Sequence, residues 1–187
     1  MGSNAPFPRI RTNRLLLRQV VPEDAEDLYA LSSDPLVTRL QDWNGPASVA
    51  ETRNIIEEWN RGYAEKRLIA WGVTLLGPQT LIGTVTLMPT RGSLEDLPRF
   101  PLALGYDLKP SFWNRGIATE AVRAALEFGR AFMRPHRVQA EVHPDNAASL
   151  RVLRKLGFQE EGVLRHYVMH EVTRTFMDVI MLALMLS

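Results

Sequence analysis

Two short segments carry groups whose types and spacing could do chemistry. The first is Trp113-Asn114-Arg115-Gly116-Ile117-Ala118-Thr119, placed where a strand ending near Leu108 gives way to a long helix. A helix N-terminus leaves four N–H groups unpaired and carries partial positive charge, so it can hold a phosphate. Gly116 lets the backbone approach such a ligand, Ala118 leaves room beside it, and Arg115 can add a charge-assisted contact. A glycine at a helix start also serves as plain turn chemistry, and the segment alone does not decide between the two. The second segment is Asn146-Ala147-Ala148-Ser149. It reads as an N-cap with a first-turn serine, or as an amide and a hydroxyl presented at one end of a cleft.

The elements that must position these segments follow from the apolar pattern. Arg14 to Val20 reads as a short strand, and Pro22-Glu23-Asp24 opens a helix. Ser48-Val49-Ala50-Glu51 is a capping box ahead of Ile55, Ile56, Trp59 and Tyr63, a stripe at helical spacing. Ile69 to Leu76 and Thr80 to Met88 form a hairpin about Gly77-Pro78-Gln79. Pro89 to Pro101 is an exposed excursion, and Leu102 to Leu108 resumes as a strand. The helix opened by Gly116 places Ile117, Ala121, Ala124, Ala125, Phe128 and Phe132 on one face and stops at Pro135. Arg137 to Val142 is a strand, Asn146 caps a helix ended by Gly157, and Phe158 to Leu164 is a further strand. Met177, Met181 and Met185 lie four residues apart, so propensity favours a helix there, although the unbroken apolar run equally suits a buried strand. The order predicts one domain of mixed α/β layers.

Composition narrows the function. The 187 residues hold 22 Lys and Arg against 21 Asp and Glu, a formal charge of +1, which argues against a large nucleic-acid footprint. No cysteine is present, which excludes a disulfide framework, a zinc–thiolate site and a cysteine nucleophile. The longest apolar run, Val179 to Leu186, is far shorter than the roughly 20 residues a spanning helix needs, and no signal peptide is evident. A cytoplasmic protein without a membrane partner is expected.

The segments NRLLLRQVVPEDAEDLYAL, LGYDLKPSFWNRGIATEAVRAALEFG and VHPDNAASLRVLRKLGFQEEGVLR, in this order, resemble the GNAT-superfamily N-acetyltransferases, in particular the RimJ/RimL-like branch. The similarity runs from about Thr12 through Met177-Asp178-Val179. It implies one acetyltransferase domain over residues 1–187, with 1–8 as a loose extension. The sheet would be mixed but mostly antiparallel, of about six to seven strands, with helices on both faces. The resemblance implies that the strand from Leu102 to Leu108 carries a bulge, splays from the one at Arg137 to Val142 and pairs with the pantetheine arm of acetyl-CoA, and that the tail is a strand over Thr175 to Leu186. The superfamily's pyrophosphate loop, Gln/Arg-x-x-Gly-x-Gly/Ala, maps onto Trp113 to Ala118; Gly116 and Ala118 match, and Trp113 departs from the usual polar residue.

The activity so implied is acetyl transfer from acetyl-CoA to a primary amine, foremost the α-amine of a protein or peptide, by direct attack in a ternary complex. A small-amine acceptor, or a CoA-binding module without catalysis, are the other readings. Cofactor contacts are expected at Leu108, at each residue from Trp113 to Thr119, and at Asn146 and Ser149, with no metal. A backbone N–H near Leu108 would stabilise the oxyanion, Asn146 would lie beside the pantetheine arm, and Ser149 would lie near the sulfur. The general base is open: the glutamate of many relatives is replaced by Ala103, which leaves Glu120, Asp107, Glu141 and His143 as candidates. Glu120 also suits a structural role at its helix start. His166 and His170 have helix-ligand spacing but lie in a loop or strand, so a metal there is disfavoured. Trp43 and Trp59 suit core packing or an acceptor pocket, and Glu95 and Asp96 suit a solvated loop or a wall of that pocket. Homodimers, common in that branch, are a further expectation, with the tail strand at the contact.

Overall fold

A computed structural model of the chain describes residues 6–186. Its strands are β1 (Ile10–Arg11), β2 (Leu15–Gln19), β3 (Ile69–Leu75), β4 (Leu81–Pro89), β5 (Leu102–Leu108), β6 (Arg137–Val142), β7 (Gln159–Met169) and β8 (Phe176–Met185). The helices are α1 (Ala25–Ser32), α2 (Pro35–Thr38), α3 (Val49–Ala64), α4 (Ile117–Phe128) and α5 (Ala147–Lys155). All strands join one sheet in the order β1-β2-β3-β4-β5-β6-β8-β7, antiparallel throughout except between β5 and β6.

Alternation along the strands divides the core. Leu15 and Leu17 of β2 and Ile69, Trp71 and Val73 of β3 join Ile117, Val122 and Ala125 of α4 and Leu150 and Leu153 of α5 in the larger cluster. The intervening Gly72 turns to the other face, where a Cβ would meet Leu81 and Val20. These two belong to the smaller cluster with Leu28, Leu31 and Ile56, from α1 and α3. Helices therefore cover both faces. Ser48 caps α3 by accepting from the Glu51 N–H at 3.1 Å, and Glu51 returns the bond to the Ala47 N–H at 2.7 Å.

Two expectations meet a different arrangement, and the tail is decided between its two readings. Residues 1–5 of the loose extension lie outside the described residues, but Pro6–Pro8 are docked: Phe7 packs on Tyr63 with ring centres 4.7 Å apart, and Pro8 O accepts from the Trp71 indole at 2.9 Å. Phe132 is 68% exposed rather than in the core. A π turn over Gly129–Met133 follows α4, and its extra residue per turn rotates the apolar stripe away from the sheet. The tail is a strand, as the family resemblance implies and against its helical propensity, because β8 is paired on both sides, to β6 and to β7.

Candidate active site

The sheet opens at one place. β5 and β6 pair only at Leu102↔Val138 and Ala103↔Gln139, after which β5 runs on to Leu108 beside β4 alone, in unbroken register and without the expected bulge. The Lys109 N–H donates to Ile82 O at 2.8 Å, toward β4. Alternation then directs the N–H groups of Tyr106 and Leu108 away from β4, toward the parted edge. Gly83 makes this end of β5 possible: a Cβ there would lie 2.5 Å from Asp107 O. The Leu108 carbonyl accepts from the Trp113 indole at 2.7 Å, so the residue that departs from the family pattern ties the loop to the strand end.

The loop after β5 contains two left-handed residues, Asn114 (φ 59) and Gly116 (φ 73). Gly116 is the N-cap of α4 and no side chain caps the helix, so the first intrahelical bond is Glu120 N–H to Gly116 O at 3.0 Å. The N–H groups of Ile117, Ala118 and Thr119 are thus open to a ligand. The Ile117 side chain is buried in the large cluster, which leaves only its backbone for binding. Arg115 is exposed, with its guanidinium 5.7 Å from the Phe112 ring centre. Beside the loop and Gly116 lies a cavity of about 520 Å³, in whose lining Arg11, Arg14, Arg123 and Lys155 outnumber Glu120 and Glu127.

Asn146 caps α5, its Oδ1 accepting from the Ser149 N–H at 3.1 Å, so the capping reading holds for that oxygen. The Ser149 hydroxyl is not isolated. Its Oγ lies 2.7 Å from the Tyr106 phenol, which reaches across the opening from β5 and also donates to Ser149 O at 3.3 Å. Burial pushes the Tyr106 pKa to about 12, the Ser149 bond opposing and the nearby Asp107 charge adding, so the phenol is neutral at physiological pH. Sequence reasoning missed Tyr106. Its signal was a lone hydroxyl in the otherwise apolar series Leu102, Leu104, Tyr106, Leu108.

The structure separates the four base candidates. Glu141 is exposed and accepts from the Tyr167 phenol at 3.1 Å. His143 Nδ1 accepts from the Asp145 N–H at 3.1 Å. Glu120 is held by Thr12 and Arg14. Asp107 shares a strand face with Ala103, four residues away. Its Oδ1 accepts from Gln41 Nε2 at 2.7 Å, and Gln41 Oε1 accepts from the Trp43 indole at 3.1 Å. Oδ2 has no protein partner among the described residues. Burial raises the Asp107 pKa to about 6, and the Gln41 bond offsets only part of that. The turn joining β7 to β8 meets the same wall through Glu171 N–H and Asp42 O at 2.7 Å.

The remaining residues of interest are engaged elsewhere. Trp59 packs on the smaller cluster. Glu95 pairs with Lys66, and Asp96 Oδ2 accepts from the Ser93 N–H at 2.7 Å. His166 stacks on Phe176 at 5.8 Å, and His170 Nδ1 accepts from two turn N–H groups.

Residues 14–159 match the model of the acetyltransferase (GNAT) domain. The chain belongs to the GNAT acetyltransferase family. It is 36% identical to the uncharacterized N-acetyltransferase YoaA of Bacillus subtilis (strain 168) over 162 residues, 87% of this chain and 89% of that one. It is 26% identical to the [ribosomal protein uS5]-alanine N-acetyltransferase of Escherichia coli (strain K12), over 89% of this chain and 86% of that protein. Among solved structures, RimJ of Mycobacterium smegmatis in complex with CoA-disulfide superposes with a TM-score of 0.76 at 25% identity, over 95% of this chain and 86% of that one. The protein is therefore an N-acetyltransferase of the GNAT type, and no helix among its described residues is long and apolar enough to cross a membrane.

Proposed function

We propose that this GNAT enzyme acetylates the α-amine of a protein or peptide N-terminus by direct attack within a ternary complex. The observation that carries the reading is the parting of β5 from β6 beside the Tyr106–Ser149 pair. The residues present suit acetyl-CoA in kind. Open N–H groups at the start of α4 and the cationic cavity suit its phosphates, and the free N–H groups of Tyr106 and Leu108 suit an amide-bearing arm laid along the strand edge. Asn146 Nδ2 is free to donate to the same arm, since only its oxygen caps the helix. The Escherichia coli relative supports the α-amine reading, since its name gives alanine, a residue without a side-chain amine.

When bound, acetyl-CoA supplies a thioester open to attack. Asp107 receives the proton of the acceptor ammonium, directly or through one water, on the face that carries Ala103 and is walled by Gln41 and Trp43. Of the two free N–H groups on β5, that of Leu108 lies nearer the phosphate loop and takes the arm, while that of Tyr106, deeper along β5, stabilises the oxyanion. The proton that the nitrogen sheds on attack passes to the departing thiolate, to which the Ser149 hydroxyl donates a hydrogen bond while the neutral Tyr106 phenol, turned from the Ser149 carbonyl, donates to the serine oxygen 2.7 Å away. Without a cysteine, no acyl-cysteine intermediate forms.

Release of free thiol from acetyl-CoA should be fastest with peptides bearing a free N-terminal alanine, measured against polyamines, aminoglycosides and amino acids. Turnover confined to a small amine would replace the acceptor, and tight CoA binding without turnover on any acceptor would remove catalysis. Gly116→Val should weaken CoA at least tenfold by calorimetry, because it forces a branched residue into φ 73 where the phosphates lie. Wild-type affinity in a folded variant would move the phosphates elsewhere. For assembly we place a second copy against the outer edge of β7, since β8 is interior; Val163 and Tyr167 of β7 are 55% and 50% exposed. Light scattering should give a dimer mass, and a monomer at all concentrations would exclude it.

A further inference from the structure

The Glu120 carboxylate, in the first turn of α4, is bound on both oxygens by a segment more than a hundred residues earlier in the chain. Thr12 Oγ1 donates to Oε1 at 2.6 Å and the Arg14 N–H donates to the same oxygen at 3.1 Å. Arg14 Nε donates to Oε2 at 2.7 Å, and Arg14 Nη2 lies at 2.7 Å from that oxygen. Burial alone would raise the Glu120 pKa, but these bonds outweigh it and keep the carboxyl below its usual range.

The backbone bond and Thr12 would suffice to dock the strand on the helix. Arg14 does more: its third nitrogen, Nη1, donates to the carbonyl of Arg115 at 3.0 Å. Arg115 sits between the two left-handed residues of the loop, Asn114 and Gly116. A peptide unit is planar with its C=O and N–H opposed, so fixing the Arg115 carbonyl fixes the N–H of Gly116 in the opposite direction. Arg14 Nη2 also stands 3.6 Å from where a Gly116 Cβ would be. One guanidinium, itself oriented side-on by Glu120, therefore holds the peptide that starts the ligand-binding turn.

We infer that Arg14 is a positioning residue for the phosphate loop: held by Glu120, it sets the Arg115–Gly116 peptide so that the loop meets the CoA pyrophosphate with its N–H donors already aligned. The inference rests on the reading that this loop binds the pyrophosphate, and it adds that the binding affinity is set from the residue just before β2, outside the loop. Ordering the peptide before binding removes a cost that binding would otherwise bear.

The test is CoA affinity by calorimetry on wild type, Arg14→Ala, Arg14→Lys, Thr12→Val and Gly116→Val, each with its melting temperature. Arg14→Ala should weaken CoA about tenfold. Arg14→Lys should lose most of the same affinity, because one ammonium cannot hold Glu120 and the Arg115 carbonyl together, and it decides the question if Arg14→Ala does not fold. KM for acetyl-CoA should rise with Kd, while kcat at saturation falls by less than about threefold. Thr12→Val loosens the strand without touching the loop, so its melting temperature should drop while its Kd stays within twofold of wild type. Equal loss of affinity in Thr12→Val and Arg14→Ala would reduce Arg14 to a docking contact. Wild-type affinity in both Arg14 variants, with Gly116→Val weakened, would overturn the positioning role and leave the loop reading standing. Wild-type affinity in Gly116→Val would overturn both.

Discussion

Replacing Asp107 with asparagine is expected to lower kcat/KM by about a hundredfold while making the folded protein more stable at neutral pH. The rate effect is the low end for loss of a general base. The stability effect follows from the raised pKa. The native carboxyl titrates near pH 6 against an ordinary value of 3.8, so between these values the native state binds more protons than the unfolded chain. Stability then falls as pH rises through that window, and above it the ionised carboxylate is a standing cost of about 1–3 kcal/mol. Asp107→Asn removes the cost, so its stabilisation should be present at pH 7 and absent at pH 3 by denaturant titration. Wild-type kcat/KM should show an acid limb near pH 6 that the variant lacks, leaving only the titration of the acceptor amine. A variant that is both less stable and fully active would make Asp107 a packing residue tied to Gln41.

The Ser149→Ala variant should lose at least about tenfold in kcat with a smaller change in acetyl-CoA affinity, since a hydrogen bond to a developing thiolate is worth more in the transition state than before it. Tyr106→Phe should lose about threefold to tenfold, because the serine hydroxyl remains but its oxygen is no longer held at 2.7 Å. The double variant should be no worse than Ser149→Ala alone, which is what a phenol acting only through the serine requires. Unchanged kcat in Ser149→Ala, with chemistry shown to limit turnover, would return Ser149 to its place as a first-turn residue of α5.

What could be read from the sequence was whatever short-range pattern decides. β5 and β6 keep their expected bounds, Leu102–Leu108 and Arg137–Val142, because each is an apolar alternation bounded by proline or by a turn. Gly116 and Asn146 stand at helix starts for local reasons, uncapped N–H groups and an amide oxygen. The tail was ambiguous because methionines four apart fit a helix; pairing to strands on both sides decides for β8, and neither partner is visible in the segment itself. Phe132 misled for a similar reason, since nothing at Gly129 announces the π turn that displaces it. The Tyr106–Ser149 and Arg14–Glu120 contacts join residues 43 and 106 apart, a separation at which spacing carries no information.

The order of the sheet also bears on when the enzyme becomes competent during synthesis. Of its described strands β8 emerges last, yet it is inserted between β6 and β7 and supplies β6 with six residue pairs where β5 supplies two. A growing chain can assemble β1 to β5 with α1, α3 and α4 early, but β6 has no firm neighbour until β8 is out. The second wall of the opening is thus withheld until β8 has been made. Until then the nascent enzyme exposes an unfinished strand edge, the segment a holding chaperone would be expected to shield, and a chain stopped before Phe176 would keep its loop but have no cleft.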